Sequence, residues 1–81
     1  MSASVRTIIK ESGRLPTDVD VLDDHADLYQ AGLTSHASVN LMLALESAFD
    51  VEFPDAMLKR SVFQSVASIT EALRTLGASQ P

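Results

Sequence analysis

The chain has 81 residues, 46% of them hydrophobic, and it contains no cysteine. This length predicts one small domain over residues 1–81, with an ordered core at about residues 3–77, and argues against a multidomain enzyme with its own substrate cleft. Without cysteine the chain has no disulfide, thiolate metal site or cysteine nucleophile, so any thiol chemistry must arrive on an attached group.

Charge and hydropathy limit the classes of partner and the cellular location that we expect. Eleven acidic and six basic side chains leave a net charge of −5, which argues against a nucleic-acid partner and favours basic protein partners. No run approaches the roughly 18 consecutive apolar residues that span a bilayer, and the N-terminal residues lack the pattern of a signal peptide. We therefore expect a cytoplasmic protein with no membrane partner, and a monomer, since nothing indicates a stable homo-oligomer.

The first helix is predicted from about Ala3 to Ser12. Val5, Ile8 and Ile9 recur there at helical spacing, and Gly13 is a plausible C-terminal stop. The basic residues of this region are expected to be solvated helix surface: Arg6, Lys10 and Arg14.

A long connection, residues 15–33, follows without a convincing helical pattern, and loops of this length are often functional. Its apolar residues are expected to plug the core: Val19, Val21, Leu22, Leu28 and Leu33. Its five aspartates are Asp18, Asp20, Asp23, Asp24 and Asp27. They lack the glycine and the bidentate glutamate of an EF-hand loop, so a solvated acidic loop is the better interpretation than a calcium site. No metal ligand is predicted elsewhere, because His25 and His36 have no spaced His or Cys partner.

The strongest predicted helix runs from His36 to Phe49, with no glycine or proline. Its apolar residues fall on two stripes at helical spacing. One stripe consists of Met42, Leu45 and Phe49, and the other of His36, Val39 and Leu43. Two stripes indicate one core side and one contact side, although a helix that is simply well buried in a small bundle fits the same pattern.

A short helix is predicted next. Phe53-Pro54-Asp55 is typical of a helix start, with proline at the first helical position and an acid in the first turn. This helix is expected to end near Lys59 or Arg60.

The last helix is predicted after an N-cap at Ser65 and ends at Gly77, with Ala78 to Pro81 expected to fray. Its apolar face consists of Val66, Ile69, Leu73 and Leu76. The predicted fold class is therefore all-α, a small bundle of three main helices plus one short helix with a long first connection.

Conventional catalytic arrangements are absent from the sequence. The three glycines are isolated and form no phosphate-binding loop. Ser35, His36 and Asp27 resemble a triad only on paper, because adjacent helical residues point in different directions and a small bundle offers little concavity. We therefore predict no catalytic residue and no enzyme activity of the chain itself.

Ser35 is the one side chain that suggests chemistry. It lies at the start of the strongest helix, where unpaired backbone N–H groups and the positive end of the helix dipole would stabilise a phosphate ester on its hydroxyl. An N-cap serine with no further role is the commoner interpretation of such a position. The residue and its place in the helix leave both interpretations open.

The sequence context of Ser35 resembles the acyl carrier protein and peptidyl carrier protein superfamily. The resemblance covers nearly the whole chain and lies in Asp27–Ser35, Leu41–Asp50, Phe53–Pro54 and Ser65–Ile69. In that family a phosphopantetheinyl transferase uses coenzyme A to attach 4′-phosphopantetheine to the serine that opens helix two. The resemblance places this role on Ser35 and the family's Ala-Leu-Glu element at Ala44–Glu46.

Details of the match point to a subtype. Familiar fatty-acid carriers have Asp-Ser-Leu where this chain has Thr34-Ser35-His36, and Asn40 and Ser47 stand where acids are common, which leaves Glu46 and Asp50 as acids along the helix. The chain looks closer to small stand-alone bacterial aminoacyl carriers, which are charged by class II synthetase-like amino acid:carrier protein ligases. The resemblance thus implies a carrier that holds an aminoacyl group as a thioester on the arm and delivers it to a downstream acceptor enzyme.

Two alternatives stay open beside the aminoacyl carrier. One is an acyl carrier for fatty-acid, polyketide or other acyl transfer with another acyl-loading enzyme, and the other is an unmodified helical adaptor. The second stripe, together with the side on which the resembled family docks, predicts four partner-binding residues: His36, Val39 and Leu43, with Thr34 flanking them. The sequence leaves two locations open for Lys59 and Arg60: close to the phosphopantetheine arm, or on a surface that faces the ligase.

Overall fold

A computed structural model describes residues 2–78, and these form helices and loops with no strand in that range. The helices are α1 (Ser2–Ser12), α2 (Ser35–Phe49), α3 (Arg60–Phe63) and α4 (Val66–Thr75). Single turns of 3₁₀ helix lie at Val19–Val21 and Asp55–Met57. The prediction of an all-α bundle with three main helices, one short helix and a long first connection is confirmed. The predicted fraying falls largely on Ser79–Pro81, which lie outside the described residues.

One hydrophobic core receives side chains from all four helices and from the long connection. Val19, Leu28 and Leu33 of that connection are buried, as predicted. The prediction that Val21 belongs to the core is wrong, since 75% of it is exposed. It lies on the single 3₁₀ turn that also holds Val19, and one such turn cannot direct both side chains into the same core.

The acidic loop folds over α1 and pairs with its cations. Arg6 donates hydrogen bonds to the Asp24 carboxylate and to the Val19 carbonyl. Lys10 donates to Asp20, whose hydrogen bond and negative charge raise the pKa of Lys10. The prediction of solvated surface is therefore wrong for Arg6, whose side chain is only 18% exposed, whereas Lys10 is exposed as predicted. Helical spacing carries no information about which loop covers a helix.

On α2 the core stripe is shifted from the predicted one. The buried residues are Ala37, Leu41, Leu45 and Phe49, whereas Met42 is only half-buried. After α2, the Glu46 carboxylate accepts a hydrogen bond of 2.8 Å from the Phe53 backbone N–H. This bond directs the chain back across the end of the helix, so Glu46 serves the fold and is not simply an acid offered to a partner.

The predicted short helix is wrong in its extent. Pro54 precedes a single 3₁₀ turn rather than opening an α-helix, and Leu58 and Lys59 then leave helical geometry before α3 begins at Arg60. The break lets Phe63 reach the core, where its ring lies 5.3 Å from that of Phe53 at a tilt of 57°. Burial of the two rings thus takes precedence over continuation of one helix.

The prediction for the last helix is confirmed. Ser65 is the N-cap of α4, and a capping box forms because Ser65 Oγ accepts from the Ser68 N–H while Ser68 Oγ accepts from the Ser65 N–H. Gly77 follows the helix with a φ of +79°. Both ends are set by local side-chain and backbone chemistry, which is why the sequence predicts them well.

Candidate functional site

Ser35 is the first residue of α2 and is exposed to solvent. The helix is capped by the residue before it: Thr34 has extended backbone geometry, and its Oγ1 accepts a hydrogen bond of 3.0 Å from the Ala37 N–H. Interpretation of Ser35 as a mere N-cap is therefore wrong. Because Thr34 caps the helix, the Ser35 hydroxyl is not needed as the cap.

The environment of the Ser35 hydroxyl suits an added anion. No hydrogen bond joins Ser35 Oγ to another described residue, whereas Ser38 Oγ is engaged and donates to the Ser35 carbonyl at 2.7 Å. The first turn of α2 has no acidic side chain. A phosphate ester on Ser35 would therefore meet the positive end of the helix dipole without a competing carboxylate in that turn.

Asp27 orders the turn that leads to this helix start. Its carboxylate accepts hydrogen bonds from the Tyr29 N–H at 2.9 Å, the Gln30 N–H at 3.3 Å and the Gln64 side-chain amide at 3.2 Å. Burial tends to raise the pKa of Asp27, but these hydrogen bonds and the positive charge of Arg60 together lower it below the ordinary value. Asp27 thus ties the loop before α2 to the segment before α4.

Gly32 makes the final bend before the site possible. Its φ of +120° strongly disfavours residues with a Cβ atom, and a Cβ there would lie 2.4 Å from Pro16 Cδ. The next residue, Leu33, is buried and donates its N–H to the Leu28 carbonyl at 2.9 Å. A left-handed glycine followed by an anchored leucine therefore delivers Thr34 and Ser35 to the surface.

The predicted contact stripe is exposed beside Ser35. Thr34 and His36 are exposed, and Val39 and Leu43 are each 53% exposed despite being apolar. The alternative of a helix buried on all sides is wrong for this side of α2. Binding of partners by these four residues stays a prediction, which the exposed apolar surface supports.

A groove of about 380 Å³ opens next to Ser35, between α2 and the start of α3. Its lining comprises Tyr29, Ser35, Ser38, Val39, Met42, Leu58, Lys59, Arg60 and Phe63. Leu58 is 45% exposed, and the Arg60 guanidinium stacks on the Tyr29 ring at 4.3 Å from its centroid. That Tyr29 and Leu58 lie beside Ser35 was not predicted from the sequence, because no local pattern indicates that residues 58–60 fold toward it.

A second hollow of about 350 Å³ lies on the Thr34 side of the helix start. It is lined by Gly13, Arg14, Gly32, Thr34, His36, Ala37 and Asn40. Its lining does not include Ser35. The two hollows thus flank the first turn of α2 with different chemistry, one largely apolar and the other more polar.

The described residues offer neither a metal-binding cluster nor a membrane-spanning helix. Across residues 2–78, no group of three or more His, Asp or Glu side chains is placed to hold a metal ion. None of the helices in this range has the length and apolar content needed to cross a bilayer.

Comparison with known proteins gives concordant matches. The family model for the phosphopantetheine attachment site matches residues 3–73. The aminoacyl carrier protein of Agrobacterium fabrum (strain C58 / ATCC 33970) is 50% identical over 76 residues, which cover 94% of this chain and 92% of that protein.

Solved structures of carrier proteins are also similar. A carrier protein from Agrobacterium tumefaciens, crystallised with an engineered Bradyrhizobium japonicum glycine:[carrier protein] ligase and AMP, has a TM-score of 0.89 and 51% identity, covering 91% of this chain and 99% of that one. A glycylated carrier protein crystallised with the Bradyrhizobium japonicum ligase has a TM-score of 0.72 and 32% identity, covering 88% and 95%. The chain therefore belongs to the phosphopantetheine-attachment family of carrier proteins.

Proposed function

We propose that this protein carries an aminoacyl group on a 4′-phosphopantetheine arm attached to Ser35 and delivers it from one enzyme to another. The observation that carries the proposal is the exposed Ser35 hydroxyl, free of hydrogen bonds from the described residues, at the N-terminus of α2. The similarity to an aminoacyl carrier protein and to a glycylated carrier protein supports an amino acid as the cargo.

The residues around Ser35 fit such a group. Thr34 caps α2 in place of Ser35, the free N–H groups of the first turn favour a phosphate, and no described side chain blocks the hydroxyl. When bound, phosphopantetheine supplies the terminal thiol that holds the cargo as a thioester, a role that the cysteine-free chain cannot perform itself. The chain's own contribution is to present one oxygen, on a rigid helix, to the enzymes that modify and use it.

The partners follow from this role. We propose that a phosphopantetheinyl transferase installs the arm from coenzyme A, that an amino acid:carrier protein ligase charges it, and that a downstream acceptor enzyme removes the cargo. Thr34, His36, Val39 and Leu43 are the proposed contact residues, since all four are exposed next to the attachment point. We further propose that the protein is a carrier rather than a catalyst and works in the cytoplasm, where coenzyme A is available.

Attachment is tested by incubating the purified protein with coenzyme A and a phosphopantetheinyl transferase and measuring intact mass. We expect one added phosphopantetheine on the wild type, none on Ser35→Ala, and one on the matched control Ser38→Ala, whose hydroxyl lies in the same turn but is hydrogen-bonded. An unmodified wild-type chain would favour the adaptor alternative. An arm on Ser35→Ala would move the site elsewhere.

The cargo class is tested on the protein that bears the arm. With glycine, ATP and the Bradyrhizobium japonicum ligase, we expect a mass increase equal to one glycyl group that hydroxylamine removes, because thioesters are labile to this nucleophile. Loading only by fatty-acid or polyketide acyl transferases would instead support the acyl carrier alternative.

A further inference from the structure

The cations of this chain divide into two groups of three. The ion-paired group is Arg6, Lys10 and Arg74, whose partners are Asp24, Asp20 and Glu71. The second group is Arg14, Lys59 and Arg60, and within residues 2–78 these make no ion pair. All three of them line the two hollows that flank the first turn of α2, and neither lining contains an acidic residue.

This arrangement is unexpected for a chain of net charge −5. Acidic side chains outnumber basic ones, and the other three cations of the chain each have a carboxylate partner. The linings of the two hollows beside Ser35 thus contain basic side chains and no acidic one, on a protein of net negative charge. Such basic side chains suit an anion brought to that surface.

Of the two hollows that flank the first turn of α2, the groove includes Ser35 and the other does not. Lys59 and Arg60 share the groove with Ser35, whereas Arg14 lies in the hollow on the Thr34 side. The Arg60 guanidinium stacks on the Tyr29 ring. Asp27, whose pKa is lowered in part by the Arg60 charge, forms no ion pair with Arg60 and is bonded to Gln64. Lys59 is exposed and belongs to no ion pair within the described range.

We infer that Lys59 and Arg60 are positioning residues that hold the phosphodiester of the arm at the mouth of this groove, so that the arm leaves Ser35 toward α3 rather than toward Arg14. The inference rests on the proposed attachment at Ser35. A phosphodiester is a permanent anion, and guanidinium and ammonium groups are its usual ligands in proteins. The apolar lining from Val39, Leu58 and Phe63 is suited to the two methyl groups of the pantoyl unit that follows the phosphate.

The contact between the phosphodiester and these two cations must also break when an enzyme binds the arm. An exposed charge pair shifts an equilibrium by only roughly two- to fivefold. Lys59 and Arg60 therefore bias the direction of the arm between encounters without trapping it. The result is a carrier whose arm is partly ordered at its root and free at its thiol end.

The experiment compares phosphopantetheine-bearing forms of the wild type, Lys59→Gln, Arg60→Gln, the double variant and Arg14→Gln. Intact mass is measured first, and an arm on every protein is the expected result. If the wild type acquires no arm, the proposed function and this inference fail together; if the arms are present, only the inference is at stake.

The readouts are ³¹P transverse relaxation and the backbone amide shifts of Val39 and Leu58 with and without the arm. We expect the held fraction to fall about two- to fivefold in each single variant and further in the double variant. Arg14→Gln removes the same charge at the other hollow and is expected to match the wild type. Salt at about 1 M is expected to release the wild-type arm, because the Debye length then falls to about 3 Å.

Structural damage is separated from loss of the contact by two measurements. Arg60→Lys keeps the charge and is expected to restore most of the relaxation effect, and thermal unfolding of each variant without the arm reports on the fold. Equal ³¹P relaxation in the wild type and the double variant would overturn the inference. An effect of Arg14→Gln as large as that of the groove variants would overturn the proposed direction of the arm.

Discussion

The side of the molecule where the acidic loop covers α1 differs from the side that surrounds Ser35. On the first side the charged groups are paired within the chain, as in Arg6 with Asp24 and Lys10 with Asp20. Around Ser35, Lys59 and Arg60 make no ion pair among the described residues, and apolar Val39 is half exposed. On the α1 side the charged side chains pair with one another and help to stabilise the fold. Around Ser35 the basic and apolar side chains have no such partner within the described residues, so they are available to bind a partner protein or the arm.

The largest contrast is expected between the two faces of α2. Leu45→Ala removes a fully buried side chain and is expected to lower the free energy of unfolding by about 2–5 kcal/mol in urea denaturation. Val39→Glu with Leu43→Glu changes exposed residues and is expected to alter stability by less than about 1 kcal/mol while slowing charging by a ligase. Unchanged charging by the double variant would remove these residues from the partner surface.

Substitution of two glycines with positive φ tests how much the bend before Ser35 contributes to stability. Gly32→Ala is expected to lower the free energy of unfolding by about 1–3 kcal/mol or more, because the new Cβ meets Pro16 and the backbone is strained. Gly77 also has a positive φ, but at +79° it is closer to the left-handed helical region, and nothing lies within 4 Å of the new Cβ, so we expect Gly77→Ala to lose only about 1 kcal/mol. Thermal unfolding measures both, and equal losses would show that neither the Pro16 contact nor the larger φ of Gly32 adds to the cost.

Neighbouring hydroxyls at the start of α2 are expected to separate structure from function. Thr34→Ala removes the N-cap and is expected to cost about 0.5–2 kcal/mol in stability, while the modification of Ser35 by the transferase continues. Ser35→Ala is expected to leave the unfolding free energy nearly unchanged and to abolish modification. A stability loss in Ser35→Ala as large as that in Thr34→Ala would contradict the assignment of the cap.

The smallest expected effect is on the pH dependence of stability, through the contacts of Asp27 and Lys10. Asp27 has a lowered pKa in the folded chain, so its stabilising contribution is present above about pH 4 and is lost as the pH falls through the folded pKa. Lys10 has a raised pKa, so its contribution is present at neutral pH and is lost only as the pH rises above its ordinary value of 10.5. Urea denaturation at several pH values is expected to show a shallower acid dependence in Asp27→Asn than in the wild type. The same acid dependence in both proteins would exclude Asp27 as a source of it.

Local chemistry accounts for most of what was predictable. The Ser65 cap, the apolar spacing of α4 and its stop at Gly77 all involve residues within a few positions of one another, and each prediction held. Helical spacing also placed Val39 and Leu43 on one stripe, but their exposure was left open until the structure showed it. Prediction failed where contacts between separated segments decide the structure. Helical spacing alone placed Arg6 in solvent, and the Pro54 pattern extended a helix through the break at Leu58 that lets Phe63 pack on Phe53.

By itself the sequence determined an all-helical domain, a family resemblance and a serine at the start of the strongest helix, because periodicity, caps and short motifs are encoded by neighbouring residues. Only the tertiary structure decided that Thr34 performs the capping, that the acidic loop neutralises α1, and that Lys59 and Arg60 lie in one groove with Ser35. These last arrangements depend on how distant segments pack to bury Phe53, Phe63 and their neighbours. Core packing is a property of the whole chain, and it determines which polar side chains are left without a partner.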